Sequence, residues 1–245
     1  MRQPLSTDLP FAEGYVLPVD KPLGWTSSDV VRKVKVLLRR LGHRKIKIGH
    51  AGTLDPLATG VLLVCIGRAT KRAEELQAEQ KEYLAGLELG ATTPSFDREH
   101  PVDRTYPFEH ITRESVEEAL RGMEGDQWQL PPVYSAKMID GKRAYEYARR
   151  GDEVQMRRAL VRIYEMRIEE FEPPRLAIRI RCSKGTYIRS IARDLGERLG
   201  SGAYLTSLRR TRSGACSLED TYSLAEIERI LGNRPGVGND DAPAG

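Results

Sequence analysis

At 245 residues, 40% of them hydrophobic, the chain is long enough for one large domain or two small ones with a buried core, and its net charge is a modest +4. No stretch approaches the roughly 20 consecutive apolar residues of a membrane span, and the start, MRQPLSTDLPFAEG, has no basic region leading into an apolar core, so no secretory signal is expected. Cys65, Cys182 and Cys216 are scattered without C-x-x-C spacing, and the four histidines form no H-x-x-H pair. That pattern fits reduced cytosolic thiols and argues against a zinc site.

In chain order, Val16–Val19 reads as a short strand that ends in the turn Asp20-Lys21-Pro22-Leu23-Gly24. Ser27 or Ser28 can cap a helix running to about Arg40, whose apolar face is Val30, Val31, Val34, Leu37, Leu38 and Leu41. Ile46 and Ile48 alternate with Lys47 and lead into a loop around Asp55, behind which the apolar run Val61–Ile66 predicts a buried strand. Tyr83, Ala85, Leu87 and Leu89 alternate as a half-buried strand. Thr112 caps a helix through Leu120, and Ala144–Arg150 suggests another. Leu160–Ile168 and Leu176–Cys182 predict two strands joined through Pro173-Pro174. A helix over Thr186–Leu199 follows, ended by Gly200 and Gly202, then a strand around Tyr204–Leu208 and a helix around Leu224–Leu231. The remaining residues to 245 are rich in Gly, Pro and Asp and are expected to be a disordered tail. Strands and helices without strict βαβ alternation indicate an α+β fold.

Charge is segregated. Eight cations lie between Arg32 and Lys47 with no acid among them, including Arg39, Arg40, Arg44 and Lys45. A second basic series runs from Arg175 to Arg212 and contains Arg209 and Arg210, while acids gather at Glu74–Glu82 and Glu109–Asp126. A solvated helix face would explain one such run; two of them point to a phosphate backbone.

The most informative string is Gly49-His50-Ala51-Gly52-Thr53-Leu54-Asp55-Pro56-Leu57-Ala58-Thr59-Gly60. Asp55 is the only carboxyl between Asp29 and Glu74, set among glycines that allow backbone to approach a ligand closely. An Asp-Pro pair is also an ordinary turn. The string as a whole resembles the G-x-L-D-P-x-A-T-G motif of the TruB/dyskerin type of pseudouridine synthase, in particular the bacterial tRNA pseudouridine-55 synthases. DKPLGWTSSD, KEYLAGLELGATTPSFD, LPPVYSAKMIDGKRAYEYAR, CSKGTYIRSIARDLGERLG and LRRTRSG resemble the same family in order and spacing, from residue 15 to about 231.

That resemblance implies a pseudouridine synthase fold, with a central mixed, largely antiparallel sheet, flanking helices and a catalytic cleft. It implies residues 1–14 as an N-terminal extension, 15–231 as the catalytic domain and 232–245 as a tail, without a complete C-terminal PUA domain. The implied reaction converts U55 in the TΨC loop of tRNA to pseudouridine by flipping the base, cutting the N1–C1′ bond and rejoining through C5. Asp55 matches the essential aspartate, Arg189 the arginine that pairs with it, and Tyr83 the tyrosine against the target base. His50 matches the residue that holds the flipped-out RNA, with Tyr187 and Leu208 lining the uracil pocket. Lys21 of the K-P-x-G-x-T-S motif is expected to buttress the catalytic loop or touch substrate, and Asp97 falls at an acid near the active site. Arg39, Arg40, Arg44, Lys45, Arg209 and Arg210 are the expected contacts to the RNA backbone. Isomerisation needs no redox step, so no cofactor and no metal are expected; the partner is the tRNA T-arm stem-loop, the protein a cytoplasmic monomer.

A nucleotidyltransferase is the first rival, because GTLDP resembles the start of cytidylyltransferase sites, but the H-x-G-H pair those need does not follow. An RNA-binding or tRNA-folding module, and a synthase for another RNA, are the others.

Overall fold

A computed structural model describes Arg2 and residues 4–135, 138–139, 142–144, 147 and 155–232. Its described residues form two compact units, one from Met1–Ala78 and Arg212–Gly245, the other from Glu79–Thr211. The helix expected over Ala144–Arg150 falls mostly outside the described residues, as does the tail beyond Gly232.

The first unit begins with β1 (Tyr15–Lys21), α1 (Ser27–Arg40), β2 (Ile48–Ala51) and β3 (Ala58–Ile66), then a 3-10 turn over Gly67–Arg72 and α2 (Ala73–Ala78). β3 pairs antiparallel with β1 (Tyr15 opposite Ile66, Lys21 opposite Gly60) and with β2 (Ile48 opposite Ile66, Ala51 opposite Leu63). The apolar run of β3 is continuous because both of its faces are covered. Val61, Leu63 and Cys65 pack with Ala51, Ala69 and Leu76, while Leu62, Val64 and Ile66 are buried as well.

The cap of α1 is Thr26, one residue before the first of the expected serines. The Thr26 hydroxyl accepts from the Asp29 N–H (3.0 Å), and the Asp29 carboxylate accepts from the Thr26 N–H (3.1 Å) and hydroxyl (2.6 Å). These bonds hold the Asp29 carboxyl below its ordinary range. Such a reciprocal cap satisfies two of the helix's orphan donors. Val30, Val34, Leu37 and Leu38 are buried, each worth about 1.5–3 kcal/mol of transfer free energy. Arg39, Arg40, Arg44 and Lys45 remain exposed.

Part of the segment before Tyr15 packs against this unit. Phe11 is fully buried, edge-on to Tyr15 and His43 at 5.8 and 5.5 Å between ring centroids. Gly67 makes room for that segment: a Cβ there would lie 2.1 Å from the Phe11 carbonyl oxygen. Only glycine fits so close an approach.

The second unit carries β4 (Lys81–Leu89), β5 (Ala91–Thr92), β6 (Arg104–Thr105), α3 (Arg113–Arg121), β7 (Gly125–Gln129), β8 (Met138–Ile139), β9 (Lys142–Arg143), β10 (Ala159–Glu172), β11 (Arg175–Cys182), α4 (Ile188–Arg198) and β12 (Ala203–Ser213), the last of which runs on into the first unit. Its sheet has the order β12-β4-β11-β10-β7, and the β4/β11, β11/β10 and β10/β7 pairs are antiparallel. β4 alternates strictly between buried and half-buried residues, as its sequence predicts. Thr112 caps α3 as expected. β7 was not anticipated; its Gly-Asp-Gln-Trp-Gln sequence has no apolar alternation, and it forms as the edge partner of β10.

The chain then returns to the first unit with β13 (Cys216–Ser217), a 3-10 turn over Leu218–Asp220 and α5 (Leu224–Gly232). Val19 and Tyr222 form an isolated parallel bridge. The architecture is α+β.

Candidate active site

The Asp55 loop connects β2 to β3 and is held by its main chain. The Ser27 hydroxyl accepts from the Leu54 N–H (2.9 Å) and donates to the Leu54 carbonyl (3.1 Å). The Asp55 carbonyl accepts from the Ala58 N–H (3.0 Å), closing a turn, and the Pro56 carbonyl accepts from the Gly24 N–H (2.8 Å). Ser27 is free for this work because Thr26 caps the helix in its place. Asp55 is half-buried, Leu54 is buried beneath it, and Thr53, Pro56 and Leu57 are exposed.

Lys21 is fully buried beside this loop, its Nζ donating to the carbonyls of Trp25 (2.6 Å), Pro22 (3.0 Å) and Pro56 (3.4 Å). The sequence left it between buttress and substrate contact. Its ammonium faces main-chain carbonyls of the two loops it ties together, the place of a buttress. His50 is half-buried on β2 opposite Val64.

In the second unit a second group assembles. Arg189, in the first turn of α4, and Asp97, in the loop after β5, are both buried. The Arg189 Nη1 donates to the Ser95 carbonyl (3.3 Å), and its Nε stands 3.7 Å from the Asp97 carboxylate, a charge contact longer than a hydrogen bond. Asp97 also accepts from the Ser95 hydroxyl (2.6 Å) and the Glu99 N–H (2.9 Å), while its carbonyl accepts from the Thr93 hydroxyl (2.7 Å). Between them Phe96 adopts a left-handed backbone (φ 60°), and its carbonyl accepts from Leu205 of β12. A non-glycine residue there costs on the order of 1–3 kcal/mol, which this bonding offsets. Asp97 was expected only as an acid near the active site. Its carboxylate faces Ser95, the Glu99 N–H and the Arg189 guanidinium.

Tyr83 is buried on β4 opposite Ile180 of β11. Tyr187 caps α4, and Gln129, buried on β7, grips it from both sides: the Gln129 Oε1 accepts from the Tyr187 N–H (2.8 Å) and its Nε2 donates to the Tyr187 carbonyl (3.1 Å). Nothing in the sequence marked Gln129, because its partner lies 58 residues away. Leu208 is half-buried on β12.

The expected RNA-backbone cations divide. Arg39, Arg40, Arg44 and Lys45 are exposed and form no ion pair with a described residue. Arg210 is only 1% exposed and Arg209 half-buried, so Arg210 cannot track phosphates along the surface. The start of the second basic series is neutralised across its sheet: Arg175 pairs with Glu172 (2.8 Å), Arg179 with Glu169 (2.7 Å) and Glu82 (3.1 Å), and Arg181 with Glu165 (3.4 Å). In sequence it looked like a free basic stripe because its acids sit on neighbouring strands.

Lys81 is a buried cation that no sequence pattern marks. Its Nζ donates to the Glu79 carbonyl (2.7 Å), and burial, helped by Arg210, pushes its ammonium down to about 8. Cys182 is buried, and the same loss of solvent pushes its thiol up to about 12, so it is a core residue and not a nucleophile. Among the described residues no three His, Cys, Asp or Glu side chains are placed to hold a metal ion, and no helix is long and apolar enough to cross a membrane.

Comparison with known proteins decides the family. The TruB family pseudouridylate synthase N-terminal domain matches residues 39–188, and the tRNA pseudouridylate synthase B C-terminal domain matches residues 189–234. The chain belongs to the TruB family. It is 58% identical over 222 residues to tRNA pseudouridine synthase B of Phocaeicola vulgatus, covering 90% of this chain and 94% of that protein. To the protein of the same name from Bacteroides thetaiotaomicron it is 56% identical over 237 residues, covering 94% and 98%. Among solved structures it is similar to a chain of a Cbf5-Nop10-Gar1 complex, with TM-score 0.69 and 26% identity over 96% of this chain and 63% of that one. An H/ACA RNP bound to a substrate RNA containing 2'-deoxyuridine gives TM-score 0.62 and 28% identity, covering 86% of this chain and 51% of that one. This TruB family member is therefore an enzyme of the pseudouridine synthase class, with the expected α+β fold.

Proposed function

We propose that this enzyme isomerises uridine 55 in the TΨC loop of tRNA to pseudouridine, with Asp55 as its essential carboxylate. The observation that carries this is the Asp55 loop itself: bonds from its main chain to Ser27, Gly24 and Ala58 hold Leu54, Asp55 and Pro56, and they set Asp55, half-buried, at a fixed place on the loop. The substrate class follows from relatives at 58% and 56% identity named for tRNA pseudouridine synthesis.

In this reading Asp55 acts at the glycosidic centre. The N1–C1′ bond breaks, the uracil turns over, C5 bonds to C1′, and the proton leaving C5 is balanced by one gained at N1. The product is an isomer of the substrate, so no oxidant, energy source, cofactor or metal enters the balance. Arg189, held by Asp97 and Ser95, directs the aspartate; a guanidinium suits this because it grips a carboxylate in a fixed plane. Tyr83 stacks on the target base, Tyr187 and Leu208 line the uracil pocket, and His50 supports the flipped-out RNA, whose unstacking costs a few kcal/mol. Arg39, Arg40, Arg44 and Lys45 contact the stem. The catalytic domain spans residues 15–231, and the protein works as a cytoplasmic monomer.

Asp55→Asn tests the reading. It keeps size and hydrogen bonding but removes the charge, so single-turnover conversion of a labelled T-arm stem-loop should vanish while RNA affinity stays within a few-fold. Appreciable conversion by the purified variant removes Asp55 from the chemistry.

A further inference from the structure

The turn before α1 exposes apolar side chains that the fold leaves uncovered: Leu23 is 64% exposed, Trp25 36% and, along the helix, Val36 40%. Trp25, Arg32, Lys33 and Val36 line one groove of about 360 Å³, floored by Gly24 and Asp29. That volume is within the range of sites that hold small organic groups. Two cations stand on the groove's wall, each already facing a carboxylate: Arg32 beside Asp29, and Lys33 with its Nζ 2.7 Å from Glu228. Arg32 is exposed, and Asp29 is already engaged in the helix cap and by Arg32 at 3.0 Å.

The groove is physically joined to the Asp55 loop. The Gly24 N–H donates to the Pro56 carbonyl at 2.8 Å, and the buried Lys21 Nζ bridges the carbonyls of Trp25 (2.6 Å) and Pro56 (3.4 Å). Adding covalent bond lengths along that path limits the Trp25–Asp55 Cα separation to about 14 Å. An exposed indole is costly to leave in water, and here the scaffold holds its main chain rigidly beside the loop that would meet the substrate. An indole face with a guanidinium beside it is the chemistry that receives an unpaired nucleobase and the phosphate attached to it.

We propose that Trp25 is a stacking platform for a second nucleobase of the substrate RNA, an unpaired neighbour of the target uridine, with Arg32 on the adjoining phosphate. This deepens the proposed function and rests on it. The site explains why Val36 stays exposed: it forms the apolar border of the platform. It also gives Lys21 a second task, since one ammonium fixes both the Asp55 loop and the Trp25 loop and so sets the spacing between two bound bases.

The test uses the full chain and a T-arm stem-loop RNA. Trp25→Ala should raise KM and the dissociation constant roughly 5- to 100-fold, the range base–aromatic stacking supplies, with kcat within about twofold. Trp25→Phe should recover most of the loss, because it retains an aromatic face. In a Trp128→Phe background, which leaves Trp25 as the sole indole, RNA should quench the fluorescence. One abasic substitution in the loop should abolish both the quench and the penalty of Trp25→Ala. Unchanged affinity in Trp25→Ala with normal wild-type activity overturns the platform, as does a change in oligomeric state in place of a change in RNA affinity. If the wild type binds the stem-loop with quenching but forms no pseudouridine, the proposed function fails while the stacking site stands.

Discussion

Replacing Lys21 with methionine isolates the contribution of one buried ammonium to the Asp55 loop. The side chain keeps its length and apolar stem and loses three donors. Two of its bonds are short, at 2.6 and 3.0 Å, and the third, at 3.4 Å, is near the limit of a hydrogen bond. Bonds to a charged group contribute about 1.5–3 kcal/mol each, so the two short ones sum to roughly 3–6 kcal/mol. Against this, methionine recovers the several kcal/mol spent in desolvating an ammonium. The freed carbonyls belong to half-buried Pro22 and exposed Trp25 and Pro56, where water can take over part of the bonding. A net loss of about 1–3 kcal/mol remains, a fall in Tm of roughly 2–4 °C per kcal/mol. The rate should suffer more than the fold. A shift near 1 Å at a positioned group costs on the order of 100-fold, so single-turnover conversion of a stem-loop should drop about 10- to 100-fold, with RNA affinity changed much less. Denaturant titration and rapid-quench kinetics on the same preparation give both numbers. A variant that is destabilised yet converts RNA within twofold of wild type would refute the claim that Lys21 positions the loop.

Two further outcomes are expected. Lys81 is held near 8 in the folded protein against 10.5 for a free lysine; between those values the unfolded chain carries the extra proton, so stability climbs as pH rises through that window, by on the order of 3 kcal/mol. Lys81→Met should lack this climb, and denaturation midpoints that rise in parallel for both proteins from pH 8 to 10.5 would count against it. Reversing Arg39, Arg40 and Arg44 to Glu should weaken RNA binding and flatten its salt dependence while leaving Tm nearly unchanged, because these side chains form no ion pair with a described residue; identical salt slopes would show that this face is only solvated.

Much of the architecture was legible in the residues alone. Strict alternation in Tyr83–Leu89 and an unbroken apolar run in Val61–Ile66 each reflect a local rule, the period-two exposure of a strand with one covered face or two. The loop carrying Asp55, and the family it implies, rest on contiguous residues and were equally visible. What depended on tertiary structure is every feature whose partner lies far along the chain. Ser27 or Ser28 was expected to cap α1, but the cap is Thr26, and the Ser27 hydroxyl holds Leu54. Asp97 and Arg189 read as two separate charges and are one buried pair with Ser95. The cations from Arg175 to Arg181 look alike in sequence to those from Arg39 to Lys45, yet the first set meets carboxylates on adjacent strands and the second extends into solvent. A charge pattern records only neighbours along the chain, whereas a cation's role is set by which oppositely charged groups come within a few ångströms of it. Strand pairing and helix packing bring those groups together, so only the folded chain distinguishes a phosphate-binding arginine from a structural one.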